Sequence, residues 1–136
     1  MCSCAEVLRE INMTKVTRFE DLKCWQLARE LVKLVYQACK DSELSKDFDT
    51  RSQIKRAALS TMNNIAEGFG RYSNKEFIRF LDISQSSAIE VKSISYALED
   101  MEYLSIEKII QIREKAEEVK SSTLAFIRYL RKVPTH

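Results

Sequence analysis

The chain is short of every residue that interrupts helices. Its 136 residues include two glycines, Gly68 and Gly70, and one proline, Pro134. A many-stranded β fold needs such punctuation often, so that class is excluded and long helices are the default. Histidine occurs once, at position 136. One terminal histidine cannot supply the Glu-x-x-His pairs of a di-iron bundle, nor a Ser-His-Asp or Cys-His nucleophile system. No run of about eighteen uncharged apolar residues is present, so no transmembrane helix is expected. The opening MCSCAEVLREINM lacks a basic-then-apolar signal pattern and carries Glu6, Arg9 and Glu10. A cytoplasmic location is the expectation.

The four cysteines fit that compartment. Cys2 and Cys4 stand in a terminal tail, while Cys24 and Cys39 fall on one expected helix. Their separation along it is ~22 Å, too far for a disulfide within the helix. Cys2-x-Cys4 would need metal ligands from elsewhere, so no metal and no cofactor is expected. Adjacent carboxylates such as Glu99/Asp100 and Glu117/Glu118 diverge on a helix and read as solvated faces, so no catalytic residue and no small-molecule substrate is evident. Net charge is +2, with 45% hydrophobic and 31% charged residues. That is ordinary for one folded domain, which at this length buries roughly two-thirds of its unfolded surface.

Four segments carry helical periodicity. The first has a Thr17-x-x-Glu20 capping box and runs from about 20 to 40, with Leu22, Trp25, Ala28, Leu31 or Val32, Val35 and Cys39 on one face. The second has a Thr50-x-x-Gln53 box and covers about 50–69, through Ile54, Ala58, Thr61, Ile65 and Gly68. The third follows Ser73-x-x-Glu76 over about 74–102, through Phe77, Leu81, Ser84, Ala88, Val91, Leu98 and Met101. The fourth, capped by Ser105 over about 105–131, carries Ile109, Ile112, Ala116, Val119, Thr123, Phe126 and Leu130. Gly68–Tyr72 then falls between two helices. The expected role of its glycines is a left-handed C-terminal cap, since a phosphate loop would need a preceding strand. Each stripe must bury itself on the others, and short connections make neighbours antiparallel. The fold class is all-α, an antiparallel up-down-up-down four-helix bundle over 17–133, with 1–16 an extension, disordered or briefly helical. Met13 is an alternative start.

Two surface patterns stand out. Gln53, Arg56, Ser60, Asn64, Glu67 and Arg71 form a polar ridge at helical spacing, faced by Ser86, Ser87 and Glu90 of the next helix. Serine and asparagine are weak helix formers, which points to side-chain hydrogen bonds: a partly buried seam or subunit contact, with Glu90 near Arg56. A ligand-binding ridge and a plain solvent face are the alternatives. Charge is also sorted by end. One end gathers Lys15, Arg18, Lys23, Arg71, Lys75, Arg79, Arg128, Arg131 and Lys132 against Glu20, Asp21, Glu67 and Glu76. The other gathers Asp41, Glu43, Asp47, Asp49, Glu99, Asp100, Glu102 and Glu107. The basic end, with Phe126 and Tyr129 interleaved, suits a phosphate backbone. Basic residues at a helix C-terminus also simply complement its dipole.

The stretches FEDLKCWQLARELVKLVY, QIKRAALSTMNNIAEGFGR and SNKEFIRFLDISQSSAIE occur in order. Over residues 18–131 the chain resembles the four-helix-bundle proteins encoded in intervening sequences of bacterial 23S rRNA genes. The motif positions are Gln53, Arg56, Ala57, Ser60, Asn64, Ile65, Ala66, Glu67, Gly68 and Arg71, and the family's Gly-Ser-x-x-Glu appears as Ser86, Ser87 and Glu90. The resemblance implies a ring-like homopentamer with no known catalytic activity. A more distant likeness, to the accessory protein of diversity-generating retroelements, implies contact with nucleic acid. The expectation is a non-enzymatic, self-assembling bundle binding RNA or DNA through Arg18, Arg71, Lys75, Arg79, Arg128, Arg131 and Lys132. The alternative is a protein-interaction scaffold that docks an acidic partner.

Overall fold

Apolar residues at three- and four-residue spacing lie on one stripe of a helix, and a stripe is stable only when covered. The computed structural model describes residues 16–40 and 42–133 and resolves the stripes into four helices. These are α1 (Lys23–Lys40), α2 (Phe48–Phe69), α3 (Asn74–Asp100) and α4 (Ile106–Lys132). No strand occurs among the described residues. Each helix packs on its neighbours in sequence, and α1 closes on α4, giving the expected antiparallel four-helix bundle. Leu31, Ile54, Ile65, Leu81, Leu98, Ile109 and Ile112 sit in its axis at 1% exposure or less. Each such side chain contributes ~1.5–3 kcal/mol relative to staying exposed. The expectations for Cys2, Cys4, Met13, Lys15 and Asp41 fall on residues outside those described.

The helix ends depart from expectation in instructive ways. Thr17 and Glu20 form no box. Phe19–Asp21 is a 3-10 turn, Leu22 is extended and buried, and α1 starts only at Lys23. The aromatic contact of Phe19 on Trp25 (5.2 Å, edge-on) sets this entry, and the Gln26 amide donates to the Glu20 carbonyl. α2 is capped by Asp47 rather than Thr50: the Asp47 carboxylate accepts from the Thr50 amide (3.1 Å), the Thr50 hydroxyl (2.9 Å) and the Tyr103 hydroxyl (3.1 Å). The Thr50 amide holds that carboxyl below the usual range, with the Thr50 hydroxyl adding to it. Ser73 and Ser105 cap α3 and α4 as expected.

Neither glycine is left-handed. Gly70 ends α2 at φ −79°, and Gly68 lies inside the helix, buried against α3. A Cβ at Gly68 would stand 2.7 Å from Phe80 Cβ and 2.8 Å from Phe77 Cδ1. Gly68 therefore serves close helix approach, where the chain needs an absent side chain rather than an unusual backbone. The one positive φ among the described residues belongs to Glu102, at 56°. Its amide bonds Glu99 and the next, of Tyr103, bonds Leu98, which is a Schellman closure of α3. Met101, expected in the core, is thereby turned out to 51% exposure.

Candidate nucleic-acid interface

The end of the bundle that carries the α2–α3 turn and the α4 terminus is built on aromatics. Phe69, Phe77 and Phe126 meet edge-on at 6.1 and 5.4 Å, and Tyr129 stacks on Phe126. Phe126 and Tyr129 are thus packed together, and Phe126 is buried in the core rather than offered to a ligand. The absent side chain of Gly68 leaves room for Phe80 of α3 to lie against α2. The Arg71 and Arg79 guanidiniums then lie 4.7 and 5.0 Å from the Phe80 ring centre. Phe80 is the shared seat of two cations on different elements, a contact worth ~0.5–1 kcal/mol each at exposed sites.

Arg79 also grips Glu76 through two bonds of 3.2 Å. That contact, backed by the charges of Arg71 and Lys75, holds the Glu76 carboxyl below its ordinary range. Three cations therefore surround one carboxylate. Beside them an open hollow of about 310 Å³ is lined by Asn74, Lys75, Ile78, Leu130, Arg131 and Val133. The Asn74 amide donates to the Leu130 carbonyl (3.5 Å), pinning the start of α3 to the end of α4. Arg71, Lys75, Arg79 and Arg131 thus share one end. Arg128 and Lys132 are exposed on the same last turns of α4 and make no ion pair among the described residues.

Arg18 stands apart. It pairs with Asp21 (3.5 Å) and Glu20 (4.0 Å) and borders a separate groove along α1 with Trp25, Arg29 and Lys33. Sequence reasoning passed over Tyr72, whose side chain is 102% exposed between Arg71 and Lys75. The signal was available: an aromatic flanked by cations in a turn, with no place in either apolar stripe.

The ridge on α2 resolves into two parts. Ser60 and Ser87 share a hydroxyl contact (2.7 Å), the Asn64 amide donates to Ser60, and the Ser84 hydroxyl donates to the Thr61 carbonyl (2.7 Å). This half is a polar seam between α2 and α3. Glu90 accepts from Gln53 rather than meeting Arg56. Arg56 and Glu67 are exposed, with no side-chain hydrogen bond or ion pair among the described residues. Antiparallel packing put Gln53, one turn nearer the helix start, in the register that reaches Glu90.

No group of three or more His, Cys, Asp or Glu side chains fit to hold a metal occurs among the described residues. No described helix is long and apolar enough to cross a membrane. Cys24 and Cys39 are both buried, and burial pushes the Cys39 thiol up.

The family model for 23S rRNA-intervening sequence protein matches residues 20–124. The chain belongs to that family. A crystal structure from Bacteroides thetaiotaomicron, of a protein of unknown function from the S23 ribosomal protein family, is similar in fold. It matches with a TM-score of 0.70 and 24% identity, over 77% of this chain and 95% of that one. No curated protein matches the chain. The family of rRNA-intervening sequence proteins thus fixes the architecture, and the side chains must carry any argument about task.

Proposed function

We propose that this family member is a non-enzymatic bundle that assembles with copies of itself and holds the phosphate backbone of RNA or DNA at its basic end. The observation that carries the reading is the joint seating of Arg71 and Arg79 on Phe80, beside Lys75 and Arg131. Guanidiniums held on an aromatic face lose less freedom when they meet a phosphate than free ones do. Arg71, Lys75, Arg128, Arg131 and Lys132 keep their charges unneutralised by any ion pair among the described residues. Self-assembly, as the pentamer implied by the family resemblance, is supported by the exposed Arg56 and Glu67 and by Ile83, 41% exposed on α3. A ring would set several cationic ends side by side and raise affinity through multivalency.

The test is binding of mixed-sequence RNA and DNA at low salt by the intact chain and by Arg71→Ala and Arg131→Ala. Each substitution is expected to weaken binding several-fold, uniformly across sequences. Negligible binding by the intact chain, or variants indistinguishable from it, would overturn the reading. Capture of acidic proteins but not nucleic acid would favour the scaffold alternative.

A further inference from the structure

Every aromatic ring near the basic end but one is spent on packing. Phe69, Phe77, Phe126 and Tyr129 hold each other, and Phe80 carries two guanidiniums. Tyr72 is the exception. At 102% exposure it stands further out than Phe48 at 66% or Tyr96 at 50%. Its ring adds nothing to the core, yet its backbone is fixed on both sides. The Gly70 and Arg71 amides donate to the Glu67 and Gly68 carbonyls, and Ser73 caps α3 through the Glu76 amide. The turn therefore presents a solvent-facing ring at a set place, with Arg71 before it and Lys75 after it.

An exposed ring flanked in sequence by two cations matches one ligand chemistry closely. An unpaired nucleobase offers a flat face to stack on, and its flanking phosphates offer charge. In a duplex the base faces are already covered by their neighbours, so only the charge term would remain. We infer that the basic end selects single-stranded nucleic acid, with an unpaired base stacked on Tyr72 and adjoining phosphates on Arg71 and Lys75. This rests on the phosphate-binding reading above and adds to it the strandedness of the ligand.

Fluorescence anisotropy with a labelled single strand of about 12 nucleotides, and with the duplex of the same sequence, tests it on the full chain. The single strand is expected to bind about tenfold tighter than the duplex. Tyr72→Ala should remove about that factor for the single strand alone, while Tyr72→Phe retains it. Because stacking releases no counterions, Tyr72→Ala should leave the salt slope unchanged, whereas Arg71→Ala lowers it by about one. Equal affinity for both forms, with Tyr72→Ala binding like the intact chain, overturns the inference and leaves the phosphate reading standing. No binding to either form overturns both. A changed assembly mass for Tyr72→Ala by light scattering would make the ring a subunit contact and likewise overturn the inference.

Discussion

Gly68→Ala adds a single methyl group at the tightest helix approach in the bundle. The new Cβ would lie 2.7 Å from Phe80 Cβ, and apolar carbons settle at ~3.5–4.0 Å. Phe80 Cβ is fixed to the α3 backbone, so no rotamer change relieves the overlap, and α2 and α3 must part by about 1 Å. Overpacking of this kind costs ~1–3 kcal/mol. With no rotamer to relieve the overlap the cost falls in the upper part of that range, ~2–3 kcal/mol, and alanine returns ~1 kcal/mol of helix propensity, leaving a net loss of ~1–2 kcal/mol. For a chain of this length that is a fall of ~3–7 °C in melting temperature. Circular dichroism melts at one fixed protein concentration measure it, since self-association would otherwise move the midpoint. Gly70→Ala is the control: its Cβ would meet only the Glu67 carbonyl, at 3.6 Å, so the melt should be unchanged or slightly raised. A Gly68→Ala melt equal to or above the parent's, or an equal fall for Gly70→Ala, would refute the close-approach account.

Three further expectations follow from the same structure. Glu102→Gly should raise stability by about 0.5–1 kcal/mol, because the residue sits at φ 56° where a side chain is strained; a lower melt would contradict it. Glu117 is held down to about 2 by hydrogen bonds from Lys92 (2.9 Å) and Lys120, which form a bridge between α3 and α4. A depressed carboxyl stabilises the fold above its unfolded value near 4.5 and loses that contribution as pH falls toward 2. With its side chain 38% exposed, screening reduces the effect to about 1 kcal/mol. Acid titration of Glu117→Gln should accordingly show a flatter stability curve between pH 4.5 and 2 than the parent. Arg56→Ala should leave the melt of the unassembled chain within about 0.5 kcal/mol, since the Arg56 side chain makes no hydrogen bond or ion pair among the described residues. Its effect should instead be a lower assembled mass by light scattering, and an unchanged mass would remove Arg56 from the subunit contact.

Much of the architecture was legible in the sequence because burial imposes a period. Leu22 through Cys39, Ile54 through Gly68 and Ile109 through Leu130 are buried at the spacings that marked them. What misled was hydrogen bonding and packing that a residue pattern does not display. Thr50 has the form of a box, but Asp47 takes the cap by accepting from the Thr50 amide and hydroxyl, and Tyr103, 56 residues away, adds a third donor. Gly70 does cap α2, though in right-handed backbone, whereas Gly68 looks like part of that cap until Phe77 and Phe80 are seen to fill the space a Cβ would need. Glu102 takes the left-handed position that sequence habit assigns to glycine. At the basic end, Arg71, Lys75, Arg79 and Arg131 follow from antiparallel topology alone. That Phe126 and Tyr129 are used up in packing, while Tyr72 is left out, depends on which way each helix face turns.

Phosphate binding at the basic end is tested most directly by its response to salt. Plotted as log K against log salt from about 50 to 200 mM, single-stranded RNA binding should fall linearly. About four cationic contacts at the Arg71–Arg131 end give a slope near −3. A slope indistinguishable from zero, or no measurable binding at about 50 mM, would contradict it.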